Sequence, residues 1–281
     1  MFELSQNELL AYIAQDLPSL DLSTHLQGKV QSKARIKIIT RSDCVMALGA
    51  EVSKIAKHFS CEVDFCAQDA QMLSAQEVLL SATGAYAQIH SAWKLMQVLL
   101  EYSCAIATYT HQMRSQAQSV NEYCQILGTR KNFPLTKNIA IKALLCGGGA
   151  VHRLNLSDSV LFFENHRIIY ENNEQFYAQI KHFKRLAPER KIAVEALDLS
   201  DAKALLKAGA DVVQLDKQSI DEVREVVEHK NTHAQNARII CAGGINEQNA
   251  QDYARTGIDA IVTSAMYYAK PMDLTSKITL I

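Results

Sequence analysis

The sequence carries almost no net charge. Its 29 Lys and Arg residues face 30 Asp and Glu, a formal charge of -1, which excludes a broad basic nucleic-acid footprint or a membrane-surface helix. Any anion binding must be a local arrangement, and the ligand small. No apolar stretch approaches the roughly 20 residues that span a bilayer. The opening segment Met1-Phe2-Glu3-Leu4-Ser5-Gln6-Asn7-Glu8-Leu9-Leu10 has acidic residues where a secretory leader starts basic. The expectation is a cytoplasmic protein with no nucleic-acid partner and no membrane insertion. The seven cysteines (Cys44, Cys61, Cys66, Cys104, Cys124, Cys146, Cys241) are odd in number and lack any Cys-x-x-Cys pair, so they support neither a disulfide framework nor a zinc site. They are expected to be reduced packing residues.

What is present is enough apolar material, 48% of 281 residues, to bury one large core or one core and a smaller partner. The second half alternates strands and helices. Lys191 to Ala196 reads as a short buried strand, and Ser200 as the cap of a helix through Ala208. Gly209-Ala210-Asp211 stops that helix, and Val212 to Asp216 is the next strand. Ser219 to Lys230 reads as a helix, Arg238 to Ala242 as a strand, Asn246 to Arg255 as a helix and Ala260 to Thr263 as a strand. The segments 208–216 and 256–264 share a glycine stop, an aspartate and an apolar strand ending in a polar residue. Repeated units of this kind specify a parallel sheet covered by helices, with a barrel as the expected closure.

The first hundred residues follow another rhythm. Ala34 to Thr40 alternates apolar and charged positions like a half-exposed antiparallel strand, with Val63 to Ala67 and Glu77 to Thr83 as candidate partners. Ala87 to Ser103 reads as a helix with Trp93, Leu95, Met96, Leu99 and Leu100 on its buried side. Together these predict an α+β cap domain.

Chemistry concentrates in Gly128-Thr129-Arg130-Lys131 and Gly147-Gly148-Gly149-Ala150-Val151-His152-Arg153. Arginine offers a planar fork for carboxylate or phosphate, lysine a point charge, and glycine a close main-chain approach. Either half alone fits a solvated basic loop; the two together at the ends of apolar runs point to an anion site. Side chains at the C-terminal ends of parallel strands converge on one mouth. That places Arg130, Lys131, Glu195, Asp216, Gly243, Gly244 and Ser264 together. Ala242-Gly243-Gly244-Ile245-Asn246 is expected to run from a strand into a helix start, where free amides and the helix dipole suit a phosphate.

These motifs, with Leu156-Ser157-Asp158, Glu164-Asn165-His166, Val194-Glu195 and Leu215-Asp216, resemble in order and in register those of the quinolinate phosphoribosyltransferase (nicotinate-nucleotide pyrophosphorylase) family. Trp93-Lys94, Gln214-Leu215-Asp216-Lys217 and Thr263 to Pro271 resemble its ModD branch, named for an association with molybdenum transport. The resemblance implies an α/β protein with an N-terminal α+β open sandwich and a C-terminal, incomplete TIM-like barrel of about six to seven strands. The sandwich would span 1–108 and be rejoined by a strand at 275–281, and the barrel would span 109–274. It also implies a homodimer with a shared active site, or a higher even oligomer.

By the same resemblance, Arg130, His152 and Arg153 would hold the carboxylate of an aromatic base, with Lys94 and Phe163 as further substrate-binding positions. Lys131 would meet the phosphates of phosphoribosyl pyrophosphate (PRPP), and Glu195 and Asp216 the ribose hydroxyls and the magnesium that travels with the pyrophosphate. Ala242, Gly243, Gly244, Ser264, Ala265 and Tyr268 would cradle phosphate. On its own Lys94 would be read as a surface charge, and Glu195 or Asp216 as a strand-end cap.

Four departures stand out: Lys94 for an arginine, Phe163 for a lysine, Ala242 for the serine of a Ser-Gly-Gly turn, and Ser264 to Tyr268 for Gly-Ala-Leu-Thr-His. Lost cations leave a second carboxylate without a partner. The expected reaction is therefore phosphoribosyl transfer to a base with fewer carboxylates than quinolinate. The alternative is a non-catalytic anion or cofactor binder serving molybdate uptake.

Overall fold

The computed structural model describes residues 3–28 and 31–281; Met1 and Phe2 of the N-terminal segment lie outside them. The chain forms two compact units, one made of Met1–His111, Asn132–Gly148 and Met266–Ile281, the other of Gln112–Lys131 and Gly149–Ala265.

In the first unit, helix α1 (Gln6–Asp16) starts with a capping box in which the Glu8 N–H donates to Ser5 Oγ at 3.3 Å and the Ser5 N–H to Glu8 Oε2 at 2.8 Å. Helix α2 (Leu22–Gln27) follows, then strands β1 (Lys33–Thr40) and β2 (Cys44–Val45), helix α3 (Gly49–His58), and strands β3 (Glu62–Cys66), β4 (Met72–Leu73) and β5 (Val78–Ala85). Alternation in β1 buries Ala34, Ile36, Ile38 and Thr40. β1 pairs antiparallel with β5; β3 takes the far edge of β5 and does not touch β1.

Helix α4 runs from Tyr86 to Gln118, 33 residues, well beyond the Ser103 end expected. Thr108 and Thr110 look like interruptions in the sequence. Their hydroxyls instead donate within the helix, to Cys104 O at 2.6 Å and Ile106 O at 2.7 Å, and no Gly or Pro breaks the segment. Helix α5 (Lys137–Cys146) carries the buried Lys142, whose Nζ lies 2.6 Å from Glu51 Oε2 and 3.3 Å from Asp69 Oδ2. All seven cysteines are free.

The second unit holds seven parallel strands in the order β7-β6-β12-β11-β10-β9-β8. They are β6 (Gln125–Gly128), β7 (Ala150–Val151), β8 (Val160–Phe162), β9 (Ile192–Ala196), β10 (Val212–Asp216), β11 (Arg238–Ala242) and β12 (Ala260–Thr263). Helices α6 (Glu164–Arg167), α7 (Asn173–Leu186), α8 (Leu199–Ala208), α9 (Ile220–His233) and α10 (Ala250–Ala254) alternate with them. This is an open half-barrel. The chain then returns to the first unit as β13 (Leu274–Leu280), antiparallel to β1 with Ala34 opposite Leu280, as the resemblance implies.

The repeated Gly-x-Asp pattern has a mechanical reason. Gly209 caps α8, and Gly257 closes the turn that follows α10, at φ 90° and 87°, a region open to glycine. Two residues on, Asp211 Oδ2 accepts from Ile192 N, and Asp259 Oδ2 from Ile239 N, each at 2.8 Å. Each aspartate thus fixes the start of the neighbouring strand. The cap of α8 is Asp198, which accepts from Asp201 N, and not Ser200. Ser219 does cap α9, through a capping box with Glu222.

Below the strand ends lies a buried ion pair. Arg167 Nη1 donates to both oxygens of Asp201, at 3.0 and 2.9 Å, and Nη2 to the main-chain oxygen of Glu195 at 2.6 Å. Leu197 N, at 2.9 Å, and the Tyr177 hydroxyl also donate to the Asp201 carboxylate. The guanidinium also lies 4.8 Å from the centroid of Phe176. Removing one partner strands a buried charge, so Asp201→Ala is predicted to lower unfolding free energy by about 3–5 kcal/mol. Urea denaturation checks this; a loss under about 1 kcal/mol would show that the pair is dispensable.

Candidate active site

The strand ends of the second unit surround a cavity of about 350 Å³. Arg130 and Lys131 follow β6, His152 and Arg153 follow β7, and Phe163 follows β8. Glu195 and Asp216 come from the ends of β9 and β10, and Ala242, Gly243, Gly244 and Ser264 from the ends of β11 and β12. Eleven sequence-predicted residues thus share one wall-and-floor arrangement, as parallel strands direct. Ala265 and Tyr268 do not line it; they sit in the 3-10 turn Ala265–Tyr268, with Tyr268 77% exposed. Lys94 belongs to the first unit, its Nζ 4.6 Å from the Trp93 ring centroid, beside a separate depression lined by Asp21, Leu22 and His90.

Four cavity residues carry fixed positive charge (Arg130, Lys131, Arg153, Lys217) against two carboxylates (Glu195, Asp216). Burial, then the neighbouring Arg153, pushes the His152 imidazole down to about 4, so it is neutral at pH 7 and donates through one nitrogen. Burial also lowers Arg153, as does Arg130, against the opposing charge of Asp158. Burial raises the Glu195 carboxyl, as does the charge of Asp216, while Gln214 and Lys131 oppose that rise. The Gln214 Nε2 donates to Glu195 Oε2 at 2.6 Å, and Gln214 Oε1 is buried with no partner. Arg153 Nη2 donates to Ser159 O at 3.3 Å, leaving its Nε buried and unpartnered. Two polar groups on the wall therefore have unused hydrogen-bonding capacity.

The glycine turn differs from expectation. Asn246 N donates to Asn249 Oδ1, and Gln248 N to Asn246 Oδ1, both at 2.9 Å. These asparagine turns delay the helix to Ala250–Ala254, only 5 residues long. Gly243 and Gly244 therefore lead into the turn at 247–249, whose main-chain bonds close on Asn246 O, and not directly into α10. The glycine turn keeps its own geometry: both glycines have positive φ, 87° and 73°, and their amides donate to no group among the described residues. A Cβ on Gly243 would fall 2.5 Å from Lys217 Cγ and 2.6 Å from Asp216 Oδ1, so only glycine fits. Thr263 Oγ1 braces the turn by donating to Ile245 O at 2.7 Å.

Thr129, Leu161, Gln214, Lys217, Val262 and Thr263 also line the cavity and were not singled out as site residues from sequence. Gln214 had a usable signal. It is a polar residue inside an apolar strand, two positions from Asp216 and so on the same face. Among the described residues no group of three or more His, Cys, Asp and Glu is arranged to hold a metal ion, and no helix is long and apolar enough to cross a membrane.

The fold and cavity define an α/β half-barrel whose mouth gathers four cations and two carboxylates. Residues 106–277 match the C-terminal domain of quinolinate phosphoribosyl transferase, and residues 21–104 match its N-terminal domain. The chain belongs to the quinolinate phosphoribosyltransferase family, whose members are phosphoribosyl-transferring enzymes. It is 34% identical over 274 residues to the Pasteurella multocida protein named "Putative pyrophosphorylase ModD", covering 98% of this chain and 97% of that one. To the protein of that name from Escherichia coli O157:H7 it is 32% identical, with 98% and 96% covered. The nicotinate-nucleotide pyrophosphorylase of Francisella tularensis shares the fold, with TM-score 0.88 at 21% identity over 99% of this chain and 98% of that one.

The neutral state of His152 has a measurable consequence. An unfolded-state imidazole protonates near 6.5 while the folded one waits until about 4, so this contribution to stability is whole above pH 6.5 and is lost as pH falls toward 4. His152→Gln is predicted to remove it, shrinking the stability difference between pH 7 and pH 5 by about 1–2 kcal/mol relative to the unmodified protein. Denaturant titrations at the two pH values read this; an equal pH 7 to pH 5 difference in unfolding free energy for both proteins would refute it.

Proposed function

We propose that the chain transfers the phosphoribosyl group of PRPP to a ring nitrogen of a small aromatic base, releasing pyrophosphate, with magnesium arriving on the PRPP. The observation that carries this reading is the convergence of two carboxylates and four cations on one cavity formed by strand ends. In the reaction the bond from the anomeric carbon to the pyrophosphate oxygen breaks and a bond to the base nitrogen forms, through an oxocarbenium-like ribose. Glu195 and Asp216 stabilise that positive charge, and Lys131 with Arg130 accepts the charge of the leaving pyrophosphate. A pure oxyanion binder gains nothing from carboxylates beside its anion. Two carboxylates are fewer than a closed protein site for a hard cation uses, which suits a metal held mainly by PRPP and water. We place the reaction in the cytoplasm.

Phe163 supports an acceptor with one anionic group or none. Its ring stacks on His166 at 5.9 Å between centroids and, with Leu161, makes an apolar wall; a second carboxylate there would have no partner. Calorimetry is predicted to show magnesium-dependent PRPP binding. Steady-state assays should then give quinolinate a lower kcat/KM than a pyridine monocarboxylate. Phe163→Lys with Lys94→Arg should move that ratio toward quinolinate by about tenfold or more. Absent PRPP binding by folded protein would remove the functional reading, whereas equal use of both acceptors would remove only the specificity argument.

A homodimer that shares its active sites is the second part of the proposal, with Lys94 of one protomer serving the His152 and Arg153 of its partner. The exposed apolar residues Leu20 and Leu22 lining the Trp93-Lys94 depression support it. Light scattering at micromolar concentration should report twice the chain mass, or an even multiple. A monomer that still binds PRPP would overturn it.

A further inference from the structure

Lys217 is held in a conformation that lysine rarely adopts. Its φ is 55°, and of the six non-glycine residues with positive φ among those described (Leu48, Ser60, Ala70, Gln76, Leu135, Lys217) it is the one that lines the cavity. Backbone strain of this kind persists only where the surroundings enforce it, and an observed outlier at a site is a reason to ask what it provides. Here the surroundings can be named. The Lys217 N–H donates to Ala242 O at 2.9 Å, which locks its peptide to the end of β11. Its Cγ occupies the space that a side chain on Gly243 would need, 2.5 Å from that position. The lysine stem therefore lies across the glycine turn.

Nothing among the described residues uses the charge so delivered. Among the described residues the Lys217 ammonium makes neither an ion pair nor a hydrogen bond, although Asp216 is its chain neighbour. The turn beside it has donors but no side-chain donor of its own: the amides of Gly243 and Gly244 are unused, and Ala242 brings no hydroxyl. Consecutive free amides in a left-handed turn form an anion-binding concavity. An ammonium on a flexible stem adds the countercharge that a phosphate dianion requires.

We propose that Lys217 is a phosphate-binding residue whose ammonium, together with the Gly243 and Gly244 amides, holds one phosphate group of the ligand. The inference rests on the reading of the ligand as phosphorylated. A ribose 5-phosphate end and a pyrophosphate end share this chemistry, and the test separates them. Isothermal titration of ribose 5-phosphate and of pyrophosphate, each with magnesium, would compare the unmodified protein with Lys217→Met, Lys217→Gly and Lys217→Arg. Glycine at φ 55° relieves the strain, so Lys217→Gly should melt at the same or a higher temperature, which keeps a binding defect distinct from misfolding. The expected result is at least a fivefold loss of affinity in the Met and Gly variants for one probe, which identifies the phosphate held, with Arg restoring affinity to within fivefold. A change below fivefold for both probes in Lys217→Gly would assign the residue to turn geometry alone and overturn the proposal. If the unmodified protein bound neither probe, the phosphoribosyl reading itself would fall, and this inference with it.

Discussion

The geometry of the cavity depends on a buried charge that must not be left alone. Arg167 and Asp201 are each about 95% excluded from solvent, and burying either without the other would cost several kcal/mol. The pair satisfies its own charges and then does more. Arg167 also donates to the carbonyl of Glu195, and Asp201 also accepts from Leu197 N and the Tyr177 hydroxyl. Four elements, α6, α7, the end of β9 and the first turn of α8, are thereby joined at one point. A parallel strand is hydrogen-bonded along its length but free at its carboxyl end, so the direction of a functional side chain there depends on what holds the last peptide. For Glu195 that is Arg167.

The same low-dielectric setting shapes the charge of the cavity. Glu195, partly buried and near Asp216, is pushed toward its neutral form, and Gln214 counters this by donating to it at 2.6 Å. On the opposite side burial keeps His152 neutral, so the cavity's positive charge is that of Arg130, Lys131, Arg153 and Lys217 alone. Cations follow β6, β7 and β10, and carboxylates stand at the ends of β9 and β10, so the two signs meet at β10. Such an arrangement suits a ligand that is anionic at two ends and becomes cationic between them.

Much of this was legible from residues. Strands β10, β11 and β12 fall on the residues read from sequence because each is a short apolar run, β10 and β12 bounded by a glycine before and a polar residue at the end, β11 followed at once by the Gly243-Gly244 turn. The convergence of Arg130, Glu195, Asp216 and Gly243 followed from counting which positions end those runs. Other features depend on partners far along the chain. Arg167 looks like one more basic residue until Asp201, 34 positions away, is seen against it. The late start of α10 follows from asparagine side chains competing with the helix for main-chain donors, and the length of α4 from threonines that satisfy themselves within it. Gln214 was hidden differently: it was read as part of an apolar strand, although its alternation with Asp216 places it on the cavity face.

The separation between frame and lining bears on how specificity can vary within such a fold. The backbone superposes on a nicotinate-nucleotide pyrophosphorylase at TM-score 0.88 with only 21% of residues shared. What the two share is therefore the fold; in this chain the strand ends are held by devices that do not line the cavity, such as the Asp211 and Asp259 brackets and the Arg167–Asp201 pair. Residues facing the cavity are freer, because a side chain at a strand end can change its chemistry without disturbing the ladder behind it. Phe163 shows this: its main-chain N–H donates to His166 Nδ1 at 2.9 Å, a bond indifferent to the side chain, while its ring sets the polarity of one wall. Gly243 is the converse case, since two cavity residues already fill the space beside it. Variation in ligand is thus expected to enter through positions like Phe163, whose backbone is secured independently, and to spare positions like Gly243, where frame and lining are the same atoms.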